Sequence, residues 1–186
     1  MQDNVILTDD STRPHAPNIP GVTESQRRQG RRLALFHEMH LRELSKVRRA
    51  MAGVFAGEGT AEDLLVTIST MQMFGNMRQF GNLCGAACEM LTGHHMIEDE
   101  YVFPALRGKT AGLNKVVERL MAEHLVIHDL LARLEAAARA LITEPGAATA
   151  KGLRAEFNQL EAFVMSHFGY EQTELEEALG FYEIGI

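Results

Sequence analysis

Apolar residues recur at alternating steps of three and four along most of this chain, and this spacing constrains the fold more than any other feature. In the first long segment the repeat comprises Leu33, His37, His40, Leu44, Val47, Met51 and Val54. A later segment repeats it with Leu113, Val117, Leu120, His124, Ile127, Leu131, Leu134, Ala138 and Leu141. Such residues form one stripe along an α-helix, whereas a half-buried strand alternates at every second residue. The spacing therefore predicts an all-α fold.

Short clusters of glycine, proline and polar residues interrupt the pattern at 57–60, 107–110 and 144–147. Thr60 and Thr110 end the first two clusters, where a threonine favours capping of the helix that follows. The predicted helices between the clusters span approximately residues 25–56, 61–106, 111–142 and 150–180. Glycines within the second of them predict a bend or a break. Four helices with short loops favour an up-down-up-down antiparallel four-helix bundle.

The first 24 residues differ from the rest because they contain three of the five prolines among polar residues. We expect residues 1–24 to form an irregular N-terminal arm and residues 25–186 to form one domain. A chain of 186 residues with 46% hydrophobic residues is long enough to bury a single core.

Composition also narrows the functional classes. A net charge of −7 argues against a nucleic-acid partner, which would require a basic surface. No apolar run reaches the length of a membrane span, and the N-terminus lacks the features of a signal peptide, so we expect a cytoplasmic protein without a membrane partner. The two cysteines, Cys84 and Cys88, lie one helical turn apart and are interpreted as small buried thiols rather than a disulfide framework, with a redox or metal role as the alternative.

Candidate metal ligands fall at one level of the predicted bundle. They are His37, His94, Glu98, His124, His128, His167 and Glu171. When the predicted helices are placed antiparallel, these residues share a slab roughly 14 Å thick, taking 1.5 Å per residue. All four helices contribute to this slab. Burying five imidazoles and two carboxylates in an apolar core is costly without a partner, so the alignment predicts a pair of metal ions.

The spacing within each helix supports the same prediction. His94 and Glu98 are four residues apart, as are two other pairs, at 124 and 128 and at 167 and 171. Because four residues turn an α-helix by about 400°, the members of each pair face the same way, one turn apart. Imidazole suits iron, zinc and copper, and a carboxylate can bridge two cations. Four-helix bundles build di-metal sites from side chains of this kind.

Several neighbouring residues leave alternatives open. His40 shares the stripe of His37, and spacing alone does not choose between them. His95 points about 100° away from its neighbour on a helix, so we expect it to pack or to support a ligand rather than to bind metal. Asp99 is a candidate acceptor for a ligand imidazole. Tyr101 continues the stripe of Glu98 and is expected to pack in the core, with a position within reach of the site as the alternative.

These motifs resemble the hemerythrin family, in particular its HHE cation-binding branch. The strongest likeness is the segment HHMIEDEYVFPAL at 94–106, with its paired histidines, acidic residues and Phe-Pro. The segments HEMHLREL at 37–44, HLVIH at 124–128 and HFGYE at 167–171 resemble the corresponding parts of the other helices. The resemblance covers about residues 33–180, and four motifs in the right order are more specific than any one of them.

The resemblance implies a site with two iron ions and an oxo or hydroxo bridge. In that family's arrangement, His124, His128 and His167 would bind one iron, and His37 and His94 the other. Glu98 and Glu171 would bridge the two. The iron with two histidines would keep a position for dioxygen, peroxide or nitric oxide. Oxygen-carrying hemerythrins bridge with an aspartate five residues after the last histidine, whereas position 172 here is glutamine, which argues against simple oxygen transport.

From this we expect a non-haem diiron protein that binds or reduces a small oxidant, in redox defence or sensing. One version is a carrier or sensor, and another is an enzyme that disproportionates hydrogen peroxide in the manner of a catalase. An alternative is an iron-sensing or iron-buffering protein without catalysis, and a third is a purely structural bundle. The sequence is compatible with a monomer or a homodimer.

Overall fold

The computed structural model describes residues 9–70 and 91–185, and the chain in these ranges is mostly helical. A 3₁₀ turn at Asp10–Thr12 precedes α1 (Glu24–Gly30), α2 (Leu33–Ala56) and α3 (Ala61–Thr70). Next come α4 (Leu91–Ile97), a π-helical segment (Glu98–Val102), α5 (Phe103–Leu106), α6 (Ala111–Thr143) and α7 (Ala147–Phe181). The described ranges contain no β-strand, and the predicted all-α fold is confirmed. None of the helices in these ranges is both long and apolar enough to cross a membrane.

The first predicted helix is in fact two helices, α1 and α2. Thr23 begins α1 with a capping box, in which its hydroxyl accepts a hydrogen bond from the backbone N–H of Gln26. Glycines then allow a close crossing of α1 and α7. A Cβ on Gly30 would overlap the backbone of Glu176, and a Cβ on Gly180 would overlap the backbone of Gln26. This crossing requires a short separate helix, which apolar spacing does not reveal.

The long helices contribute to two compact units. The first unit comprises Met1–Glu38, His95–Val126 and Met165–Ile186, and the second comprises Met39–His94 and Ile127–Val164. The glycines at 75, 81 and 85, at which a bend is predicted, lie outside the described residues, as do Cys84 and Cys88.

The core of the first unit includes part of the N-terminal arm. Most of its buried apolar residues come from α6 and α7, and the others include Leu33 of α2, Val102 of the π-helical segment, and Phe103 and Leu106 of α5. Ile19 and Val22 of the arm belong to the same cluster. Full burial of such side chains contributes roughly 1.5–3 kcal/mol each. These two residues of the arm therefore contribute to the core.

The second unit has the simpler interior that the apolar spacing predicts. Its buried side chains follow the stripes of α2, α6 and α7. They include Leu44, Val47, Met51, Ile127, Leu131, Leu134, Ala138, Leu153, Phe157 and Leu160. Helices with one apolar face are stabilised chiefly by packing that face against neighbours, so the spacing alone is sufficient to specify this interior.

A tight turn between α5 and α6 lies in the first unit. Gly108 adopts a φ of 80°, which a side chain would disfavour. Its N–H donates to Asn114 Oδ1 at 2.8 Å, and the N–H of Leu113 donates to Thr110 Oγ1 at 3.0 Å. The predicted cap at Thr110 is confirmed, and so is the cap at Thr60, whose Oγ1 accepts from the N–H of Asp63 at 3.1 Å.

The π-helical segment changes which residues face inward after α4. Glu98 and Val102, four residues apart, are buried, whereas Tyr101 is 68% exposed. A π-helical turn contains more residues than an α-helical turn. The residue that faces inward one turn after Glu98 is therefore Val102, four residues on, rather than Tyr101, three residues on. The expectation that Tyr101 packs in the core is therefore wrong, and the reason is local backbone geometry.

Candidate metal centre

Most of the predicted ligands are buried. Six of the seven are at most 5% exposed, namely His37, His94, Glu98, His124, His167 and Glu171. The seventh, His128, is half-buried on α6. Ionisable side chains are seldom this buried unless they are paired or hold a metal, so their surroundings decide what the site can do.

Three imidazoles form one candidate group in the first unit. His95, His124 and His167 each present a ring nitrogen, and these nitrogens lie within 4.8 Å of one another. The rings of His95 and His124 are stacked, with centroids 3.9 Å apart. The rings of His124 and His167 meet edge to face at 5.0 Å. Three neutral imidazoles converging on one point are a common donor set for a transition metal.

A second candidate group contains both buried carboxylates. His37, Glu98 and Glu171 of the first unit present ligand atoms that lie within 4.8 Å of one another. His94, on α4, precedes Glu98 by four residues in the chain, about one helical turn. The structure places His37 here, while the ring of His40 stacks on that of His94 at 4.7 Å. Between the two first-helix histidines, the geometry therefore favours His37.

The carboxylates adjoin both groups. Glu171 Oε2 lies 3.3 Å from His37 Nε2 and 3.8 Å from His167 Nε2. Glu98 Oε2 lies 3.5 Å from His124 Nε2. Each carboxylate thus has an imidazole of the three-histidine group within 4 Å, which is the arrangement required for a carboxylate that touches two cations.

The electrostatics of this cluster favour a bound cation. Burial raises the pKa of Glu98 well above its usual range, and the neighbouring carboxylate of Glu171 raises it further. Burial also lowers the pKa of His124, which keeps that imidazole neutral. A cation between the two carboxylates would lower the pKa of Glu98 again. The neutral imidazole is the form of histidine that binds metal. The donor set therefore fits metal ions.

Hydrogen bonds to the outer ring nitrogens direct two imidazoles toward the site. His124 Nδ1 lies 2.9 Å from Asp99 Oδ1, and His167 Nδ1 lies 2.9 Å from Glu123 Oε2. In the neutral ring, Nδ1–H donates to the carboxylate and leaves the lone pair on Nε2 for a metal. Within the described ranges, Nε2 of both rings is buried and accepts no hydrogen bond. These two nitrogens are suited to metal binding.

Most of this chain matches one known protein family. The hemerythrin HHE cation binding domain matches residues 31–179, most of the chain. The chain belongs to this family. No curated protein and no solved structure matches it. The matched range contains every candidate ligand and begins after the N-terminal arm.

The three-histidine group of this HHE domain differs from the set that the sequence predicts. His95 lies in the group with His124 and His167, whereas His128 lies in neither group of the described residues. Neighbouring residues on a helix point about 100° apart, and both can be buried where the helix is covered on two sides. His94 and His95 are both buried in this way. The adjacent histidines at the start of the segment 94–106 are the sequence signal that could have identified His95 as a candidate ligand.

His37 of the HHE domain has its own supports. Its ring stacks on Phe168 with centroids 3.9 Å apart. Gln172 Nε2 lies 2.7 Å from His37 Nδ1. Rotating the Gln172 amide by 180° would place Oε1 there instead, where it accepts Nδ1–H and leaves Nε2 for a metal. The glutamine at position 172 thus contacts Nδ1 of His37.

Sequence reasoning missed a buried charged cluster beside His167. Glu123 is fully buried and accepts hydrogen bonds from Arg13 Nε at 2.9 Å and Arg119 Nε at 2.6 Å. Burial opposes ionisation of this carboxyl, but the hydrogen bonds from His167 and Arg13 outweigh it and lower its pKa to about 2. The four-residue spacing of Arg119 and Glu123 was the only local signal, and it also fits an exposed ion pair.

Proposed function

We propose that this HHE domain holds two iron ions, with an oxo or hydroxo bridge, and binds or reduces dioxygen, peroxide or nitric oxide. The observation that carries the proposal is the pair of buried donor groups joined by Glu98 and Glu171. Five imidazoles and two carboxylates are more donors than a single ion of this class coordinates, so the set fits two divalent or trivalent ions better than one.

In this proposal the described groups divide the ligands between the ions. The imidazoles of His95, His124 and His167 hold one ion, and those of His37 and His94 hold the other. The two glutamates lie between them. The family resemblance favours His128 in place of His95. The two alternatives can be distinguished by measuring metal content. If His95 is the ligand, His95→Ala should lower it and His128→Ala should not, and the reverse holds if His128 is the ligand.

The donor chemistry supports iron. A mixed set of imidazole and carboxylate donors suits iron better than it suits metals that prefer thiolate ligands. Because the same donors also bind zinc, the identity of the bound metal must be measured. When bound, two irons supply the two electrons that reduce a peroxide. The chain's own residues orient the ligand rings through Asp99 and Glu123 and separate them from bulk water.

Burial supports a small exogenous ligand. The side chains that form the two groups are at most 5% exposed, and Phe103 and Phe168 lie against the rings of His124 and His37. Burial to this degree favours a ligand of two or three non-hydrogen atoms over an organic substrate of ordinary size. We therefore propose small oxidants as the ligands of this site. We further propose a monomer or homodimer in the cytoplasm, with neither nucleic acid nor membrane as a partner.

The first test is metal content together with the visible spectrum. We expect about two irons per chain after aerobic purification, with charge-transfer bands that shift when azide is added. His124→Ala and His167→Ala should each lower the iron content, while His15→Ala, at an exposed histidine, should not. Two zincs per chain, or no spectral bands after anaerobic loading with iron, would contradict the proposal.

A second measurement separates binding from reduction. If the domain disproportionates peroxide, the iron-loaded protein evolves oxygen from hydrogen peroxide and His124→Ala does not. If it only binds, azide or nitric oxide shifts the spectrum and oxygen evolution stays at the level of free iron. Either outcome is compatible with the diiron proposal, and the second supports a carrier or sensor.

Iron sensing or buffering is the second candidate, and the adjacent buried carboxylates favour it. Burial and the neighbouring Glu171 raise the pKa of Glu98, so ionising both carboxyl groups is costly without a cation between them. A bound metal would offset this cost, so metal occupancy should change the stability of the first unit markedly. For this candidate we expect the melting temperature to follow free iron across a physiological range. A metal-loaded protein with the same melting temperature as the metal-free protein would exclude it.

A further inference from the structure

We propose that Arg13 of the N-terminal arm is a positioning residue for the metal centre, acting on His167 through Glu123. The inference rests on the proposed function, because it concerns one of the proposed ligands. It adds a residue that lies outside the family match at 31–179. In the resulting relay, the guanidinium orients a buried carboxylate, and the carboxylate orients an imidazole.

The first link of the relay is a two-pronged contact. Arg13 Nε donates to Glu123 Oε1 at 2.9 Å, and Arg13 Nη2 donates to Oε2 at 3.0 Å. Arg13 is only 8% exposed and Glu123 is fully buried. A planar guanidinium that contacts both oxygens fixes the plane of the carboxylate, which a single contact does not.

The second link passes from the carboxylate to the ligand. Glu123 Oε2, the oxygen that Arg13 Nη2 contacts, also accepts Nδ1–H of His167 at 2.9 Å. Arg119 Nε contacts the other oxygen at 2.6 Å. Without Arg13, the carboxylate is free to turn toward Arg119 and away from the imidazole. His167 would then lose the contact that keeps its proton on Nδ1 and its lone pair on Nε2.

The arm is held at this point by residues that flank His167 on α7. Arg13 Nη1 donates to Ser166 Oγ at 2.7 Å, and the guanidinium lies over the ring of Tyr170 at 4.7 Å. The hydroxyl of Tyr170 donates to the backbone oxygen of Pro14 at 2.7 Å. Arg119 Nη1 donates to Thr12 Oγ1 at 2.8 Å. The arm and the ligand-bearing helix thus share one hydrogen-bonded network.

Coupling between the arm and the site is reciprocal. If docking of Arg13 favours the metal-binding form of His167, a metal on His167 must favour docking of Arg13 by the same factor. Metal should therefore protect the peptide bonds around residues 10–20 from proteolysis. This expectation distinguishes a relay from an arm that only adds apolar contacts through Ile19 and Val22.

The test compares Arg13→Ala and Arg13→Lys with a matched control, His15→Ala. His15 is a neighbouring arm residue with an 81% exposed side chain, whose contact is with Glu174 rather than Glu123. Iron(II) affinity is measured by competition with a chelator. We expect Arg13→Ala to weaken binding about tenfold, the lower end of the usual effect of removing a support of a metal ligand, because Arg13 acts through Glu123. Arg13→Lys should lie between Arg13→Ala and the wild type, and His15→Ala should bind within about twofold of the wild type.

A second readout uses the metal-free protein. Nitrogen-15 NMR of the His167 side chain reports which ring nitrogen carries the proton. The relay predicts a single Nδ1–H form in the wild type and in His15→Ala, and a mixture of forms in Arg13→Ala and Arg13→Lys. Circular dichroism establishes that each variant is folded. If Arg13→Ala does not fold, Arg13→Lys carries both measurements.

The results separate this inference from the proposed function. Wild-type affinity and an unchanged His167 signal in the Arg13 variants would overturn the relay while leaving the diiron proposal intact. Failure of the wild type to bind two metals would overturn the diiron proposal. In that case the NMR comparison in metal-free protein still decides whether Arg13 positions His167.

Discussion

The two units of this chain have different interiors although they are built from the same long helices. Nine of the eleven buried polar or charged side chains in the described residues belong to the first unit. The second unit contributes His40 and His94, whose rings stack on each other, and the other buried side chains among its described residues are apolar. An apolar interior needs only helices with a suitable face, whereas a polar interior also needs a partner for each buried group.

The largest expected effect concerns the apolar interior of the second unit. Phe157→Ala should lower the free energy of unfolding by about 4 kcal/mol, because it leaves a cavity at a fully buried position. Metal stoichiometry of the folded variant should stay at the wild-type value. Phe157→Leu, the matched control, should cost less than about 1.5 kcal/mol. Loss of metal by a folded Phe157→Ala protein would mean that the interiors are not independent.

A pair of arginines sharpens the comparison. Arg119 of the first unit contacts the buried carboxylate of Glu123, whereas Arg133 of the second contacts Glu156 at 2.7 Å near the surface. Arg119→Ala should cost about 3 kcal/mol, since it weakens the compensation of a buried charge. Arg133→Ala should cost at most about 1 kcal/mol. Urea unfolding of the metal-free variants measures both, and equal losses would remove the distinction.

Metal binding should stabilise the first unit more than the second. At a free metal concentration 100 times the dissociation constant, the expected stabilisation is about 2.7 kcal/mol. Hydrogen exchange should therefore slow by roughly 100-fold for amides in the first-unit parts of α6 and α7. Amides of the second-unit part of α6, such as Leu131 and Leu134, should slow less. Equal slowing throughout α6 would show that both units open in one step.

The smallest expected effect concerns the outer support of His124. Asp99→Ala removes the acceptor of Nδ1–H and should weaken metal binding about tenfold, or about 1.4 kcal/mol. Asp99→Asn keeps an oxygen acceptor and should lose less. Asp129→Ala, at an exposed carboxylate in the second unit, is the control and should bind as the wild type. Chelator competition measures all three, and equal affinities for Asp99→Ala and the control would exclude this support.

Local spacing accounts for what the sequence by itself determined. The stripes of α2 and α6 predict the all-α fold, and most of their residues are buried because a residue's face on a regular helix depends only on its position in the repeat. The same regular spacing identifies the candidate ligands on the four predicted helices. It does not hold at Tyr101, because the π-helical segment changes the number of residues in a turn.

Only the tertiary structure decided which groups surround each ring nitrogen. The association of His95 with His124 and His167, and the contact of Arg13 with Glu123, join residues that are distant in the sequence. No periodic pattern records such contacts, because they depend on how separate segments pack and on which buried charge needs a partner. Local repetition specifies the helices and their inward faces, and long-range packing specifies the chemistry inside them.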